Sequence, residues 1–170
     1  EIALGINPNV DEVGFASPFF TKTSIHAGEA IAYYAKMYDW LRGSGIIDEE
    51  QLSAVQDSVV ELVARFEQAA TKGPMAALLA LAQNNHNVKA YGAIGLAGMV
   101  FSDDPNAARW VNRGVTEVRY YFLDYQTTED GGYAEGPNYL NYCLGEGLSL
   151  LWAYHRYVDG EESYVRHFYD

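Results

Sequence analysis

Apolar residues recur at helical spacing through most of this chain, in runs cut by glycine and proline, and nowhere do they alternate as a strand would. The clearest run holds Leu52, Val55, Val59, Leu62, Val63 and Phe66 on one face, behind a capping Asp48. This pattern predicts an all-α fold. A helix is expected over 24–41, stopped by Gly43 and Gly45, and a second over 48–71. Pro74 opens a short third helix that ends at a polar knot, and a fourth covers 88–101. After the stop SDDP a fifth runs to about Tyr125, QTTEDGGYAEG is a loop, and Pro137 starts a sixth that ends near Asp159. Residues 1–23, with Gly5, Pro8, Gly14 and Pro18, read as irregular.

Short connections make sequential helices antiparallel neighbours. The helices over 88–101 and 137–159 then run in the same direction, and their N-terminal ends lie on one face. Those ends carry the two least helix-like segments of the chain, QNNHN and EGPNY.

With 170 residues the chain has the size of one domain, large enough for a hydrophobic core. Its formal charge of −12 argues against a nucleic-acid or anionic-membrane partner, either of which needs a basic face. No run reaches the length of a membrane span. The opening EIALGINPNV lacks the basic start and apolar core of a signal peptide. The single cysteine, Cys143, excludes an internal disulfide and leaves the redox compartment open. No metal-ligand spacing, glycine-rich phosphate loop or nucleophile elbow is present, so no metal or cofactor is indicated.

The polar knot places Asn84, Asn85 and His86 where a helix begins. Unpaired N–H groups and a partial positive charge favour anions there, and amide and imidazole side chains add donors. The plain structural alternative is that the asparagines only cap the helix. In the second segment Asp130, Gly131 and Gly132 form a tight turn, and Gly136–Pro137 put Asn138 and Tyr139 in a first helical turn. Tyr139 and Tyr142 share a helix face, which in a chain with 14 tyrosines is also explained by ordinary packing. Glu135 suits the start of a helix on charge alone.

NNHNV followed by DGGYAEGPNYLNY, with Asn85 and Tyr139 54 positions apart, resembles the heparinase II/III-like polysaccharide lyases and the related alginate lyases of the same fold. The likeness covers residues 83–142, and the ordered pair of motifs is more specific than either alone. It implies an incomplete (α/α) toroid of antiparallel helical hairpins spanning 1–170. It also implies β-elimination on an acidic, uronate-containing polysaccharide. By that likeness Asn85 and His86 neutralise the uronate carboxylate and Tyr139 handles the proton, while Asn84, Glu135, Asn138 and Tyr142 contact substrate. A secreted or periplasmic enzyme is expected, completed by the rest of the toroid and a C-terminal β-sandwich that this chain lacks. Two departures stand out. Lys89 occupies a position that is acidic in some members, and no basic cluster for a sulfated polymer is visible.

Two other readings stay open. One is an (α/α)-barrel glycoside hydrolase using two of Glu129, Asp130 and Glu135. The other is a non-catalytic carbohydrate-binding helical domain with tyrosine platforms. The lyase reading requires Asn85, His86 and Tyr139 to meet in one cleft. A partial toroid should also expose apolar surface near Leu148, Leu151, Trp152 and Tyr154.

Overall fold

The structure, a computed structural model, describes residues 20–72, 76, 79–80 and 84–158. They form α1 (Phe20–Leu41), α2 (Glu49–Lys72), α3 (Asn85–Val100), α4 (Ala107–Val118), α5 (Pro137–Cys143) and α6 (Ser149–Val158). A π-helical segment, Arg119–Tyr125, prolongs α4, and another, Leu144–Leu148, joins α5 to α6. Among the described residues the only extended pairing is an isolated bridge between Thr127 and Tyr133. The chain is all-α.

Local chemistry sets the helix ends. The Asp48 carboxylate accepts from the Gln51 N–H at 2.8 Å, and Glu49, Glu50 and Lys72 complement the α2 dipole. The first helix reaches back to Phe20, four residues beyond the expected start, because FTKTS contains no breaker after Pro18. α3 begins at Asn85, three residues early, because Asn84 caps it. The expected single helix over 137–159 is interrupted at LGEGL, where two glycines lower the cost of a π turn. The short helix expected after Pro74 lies largely outside the described residues.

α3 is the centre of the fold and is buried on every side, from Asn85 through Gly98 with His86 alone half-exposed. Its small residues permit this. A Cβ on Gly114 would stand 2.5 Å from the Gly95 Cα, so α3 and α4 cross in backbone contact that only glycine allows. Trp110, Phe66, Phe101, Phe122, Ile94 and Leu150 fill the core around that crossing.

Contacts fix the directions. Gly98 meets Ala107 and Trp110 while Gly95 meets Gly114, so α3 and α4 are antiparallel. Gly92 meets Glu146 and Gly95 meets Leu150, so α3 runs parallel to the α5–α6 stretch. Gly28 meets Lys89 and Ala90, and Arg42 donates to the Val100 carbonyl, so α1 is parallel to α3 as well. Three parallel helices thus make one layer, with α2 and α4 joined across the other by the Arg109–Glu67 ion pair.

Trp152 is half-exposed, and Tyr33, Met37 and Trp40 form an exposed stripe on α1. Leu151, expected at the surface, is sealed in the core on the inner side of α6. No helix among the described residues is long and apolar enough to cross a membrane.

Candidate functional site

The parallel layer gathers the N-terminal ends of α3 and α5 beside the first half of α1, and a pocket of about 750 Å³ opens there. Asn85, His86 and Lys89 line it from α3, Asn138, Tyr139, Asn141 and Tyr142 from α5, and Glu29 from α1. The three residues expected to meet, Asn85, His86 and Tyr139, are all on its wall.

The α3 N-terminus does not offer its backbone donors to a ligand. The Asn84 side chain accepts from the His86 N–H at 3.0 Å, and the Asn87 side chain reaches back to the Asn84 N–H in a capping box. Asn87 is fully buried and also donates to the Leu79 carbonyl at 2.8 Å. The Asn85 N–H donates to Glu135 Oε2 at 2.7 Å, and its side-chain amide donates to Oε1 at 3.0 Å. The anion that this helix start attracts is therefore Glu135 of the same chain. Of the residues expected to contact substrate, Asn138 and Tyr142 line the pocket, whereas Asn84 caps α3 and Glu135 stands behind Asn85 as its hydrogen-bond acceptor, neither in the lining.

Glu135 is aimed by a left-handed Gly136 (φ 85°) that turns the loop into Pro137 at the start of α5. The Tyr133 hydroxyl lies 3.5 Å from Glu135 and 3.0 Å from Cys143 Sγ, tying loop, helix and carboxylate together. Burial raises the Tyr133 hydroxyl pKa and pushes the Cys143 thiol up to about 11, so both stay protonated. Tyr133 and Cys143 therefore hold position without titrating near neutrality.

His86 is half-buried. Desolvation lowers its pKa below the ordinary 6.5, opposed by the Glu135 charge and reinforced by Lys89, so the imidazole is held neutral near pH 7. Tyr139 and Tyr142 are about half-exposed, with ring centroids 6.3 Å apart, and form the open side. Lys89, almost wholly buried, pairs with Glu29, and its Nζ sits 4.5 Å from the centre of the Tyr142 ring. Burial raises the pKa of the neighbouring Glu146 carboxyl, against the pull of Lys89 and Lys36.

Lys89, Glu29 and Asn141 were not anticipated as site residues. Lys89 was legible, since it follows Asn85 and His86 by four and three positions on one helix face. Glu29, sixty residues away in sequence, carried no local signal. Glu129 and Asp130 are exposed in the loop, with Asp130 bonded to Thr128 at 2.6 Å, and neither lines the pocket. Among the described residues no group of three or more histidine, cysteine, aspartate or glutamate side chains is placed to hold a metal.

Fold and site together define an all-α protein whose parallel helix ends enclose a polar, tyrosine-walled pocket. No family model matches the chain, and neither a curated protein nor a solved structure does.

Proposed function

We propose that this chain is part of the catalytic domain of a polysaccharide lyase that cleaves a uronate-containing glycan by β-elimination, its helical hairpins forming part of an (α/α) toroid. One observation carries the reading. Asn85, His86 and Tyr139, brought from segments 54 positions apart, line a single pocket of about 750 Å³, large enough for a sugar ring.

The chemistry follows from what those groups supply. The proton on C5 of a uronate is weakly acidic because its loss places charge beside a carboxylate. The Asn85 amide keeps one N–H beyond the one Glu135 accepts, and a neutral His86 imidazole donates another; both stabilise the charge as it spreads onto the carboxylate oxygens. Glu135 fixes the Asn85 amide in advance, so little reorganisation is needed. In one concerted step the Tyr139 oxygen takes the C5 proton while its own hydroxyl proton passes to the leaving O4. The C5–H electron pair becomes the C4–C5 double bond and the C4–O4 bond breaks, so that the hydroxyl ends as it began. Asn138 and Tyr142 hold the neighbouring sugar, Tyr142 by stacking. Export to the periplasm or exterior, where such polymers occur, goes with this reading.

A hydrolase is less well supported. It needs two carboxyls facing one bond, whereas Glu135 is engaged by Asn85 and Asp130 by its own turn. Incubating the full-length protein with a panel of polyuronates decides the matter. New ultraviolet absorbance from an unsaturated product supports the lyase. Reducing ends without that absorbance would establish a hydrolase, and binding to intact polymer a carbohydrate-binding domain.

A further inference from the structure

Among the described residues that line the pocket Lys89 is the one cation, and a carboxylate pairs with it. Lys89, with a side chain only 4% exposed, lies on the α3 face shared by Asn85 and His86, and its ammonium pairs with Glu29 from α1. The Tyr142 ring closes one side of that ammonium at 4.5 Å. His86 contributes no full charge near neutrality, and Glu135 places a negative charge directly behind Asn85. A ligand entering from the Tyr139 side therefore meets dipoles from Asn85, Asn138 and Asn141, together with a compensated ion pair. Such a surface tolerates one carboxylate and hydrogen-bonds hydroxyls well. Among the described residues that line it there is no further cation to neutralise a second fixed charge, and the chain's net −12 adds repulsion at longer range.

We propose that the Glu29–Lys89 pair is a charge filter: it restricts the pocket to glycans whose only anionic group is the carboxylate and rejects those that also carry sulfate esters. The choice of ligand rests on the lyase reading; the filter itself is a statement about charge balance. Glu29 is its specificity-determining residue, because it makes the direct ion pair with the ammonium at the pocket wall. In its absence Lys89 presents a full positive charge to the pocket.

The test uses the full-length protein and matched polymers differing only in sulfation: heparosan with chemically O-sulfated heparosan, chondroitin with chondroitin sulfate, and polymannuronate with its sulfated derivative. Binding is measured by calorimetry and elimination by ultraviolet absorbance. Wild-type protein should prefer the unsulfated member. Glu29→Gln should shrink that preference about tenfold, the effect of one unit charge at ~7 Å and an effective dielectric of ~40. Lys89→Gln should enlarge it, and the double variant, neutral again, should return to the wild-type ratio. If Glu29→Gln fails to fold, the Lys89→Gln and double variants still decide. Equal binding of both members by wild-type protein, or ratios unchanged within about twofold in the folded variants, overturns the filter. A shifting binding ratio without any unsaturated product would keep the filter and remove the lyase reading. Failure to bind any of the six polymers would remove both.

Discussion

Tyr139 and Asn85 make different demands on a substitution. Tyr139→Phe keeps the ring beside Tyr142 and deletes the hydroxyl, so turnover should vanish while polymer binding stays within about twofold, since the hydroxyl acts mainly in the transition state. Full activity in that variant would end the lyase assignment. Asn85→Ala removes a donor that, in the proposed reaction, meets the carboxylate in both ground and transition states. Its turnover should fall by roughly 10²- to 10³-fold, by analogy with loss of an oxyanion-hole donor, with some weakening of binding. Glu135→Gln should act through Asn85, since its two oxygens accept from the backbone and side chain of that residue. Its effect on kcat should therefore overlap that of Asn85→Ala in a double-mutant cycle, and additive losses would show that Glu135 has a separate role. His86 sets a pH dependence of known sign. Its folded pKa lies below 6.5, so below that pH the unfolded chain binds the extra proton first. The His86 contribution to stability is complete above pH 6.5 and falls as pH drops toward the folded value. His86→Gln should flatten the melting-temperature profile in that window.

The α3–α4 crossing is the element on which the site depends. Both helices are glycine-bearing where they touch, and the 2.5 Å approach leaves no room for a methyl group on Gly114. Gly114→Ala should destabilise by about 1–3 kcal/mol through overpacking, read as a lower denaturant midpoint at unchanged slope. A variant as stable as the parent would mean that the helices separate freely. Asn84→Ala removes the α3 cap and should cost about 1 kcal/mol. These elements also separate what was legible from what was not. The Asp48 cap, the Asn84 start and the break before Pro137 are local events, decided by residues within a turn of each other. The π turn at Leu144–Leu148 is not local: Gly92 and Gly147 bring that backbone against α3, where a Cβ on Gly147 would stand 2.7 Å from Val88.

At the scale of the molecule, charge and the proposed substrate oppose one another. A chain with net charge −12 repels a polyuronate over the Debye length, which shrinks from about 30 Å at 0.01 M salt to about 8 Å at 0.15 M. Association with polyuronate should therefore quicken as salt rises across that range, the reverse of a basic polyanion binder. Stopped-flow tyrosine fluorescence checks this, and a rate that falls with salt would place an undetected basic surface at the pocket. In the proposed reaction the repulsion would be answered locally by the side-chain amides of Asn85, Asn138 and Asn141 that line the pocket, since Glu135 already occupies the α3 N-terminus.

The sequence by itself determined the all-α class, most helix boundaries, and the meeting of two polar segments at one face, since each follows from helical periodicity, capping chemistry and short turns. Asn85, His86 and Tyr139 were legible as neighbours for the same reason. Which groups stay available there was decided only by tertiary structure. Glu135 reaches Asn85 across 50 positions and Glu29 reaches Lys89 across 60, and both contacts depend on how the helices pack. A helix start attracts an anion wherever it occurs; only the folded chain determines that Glu135 already fills that place.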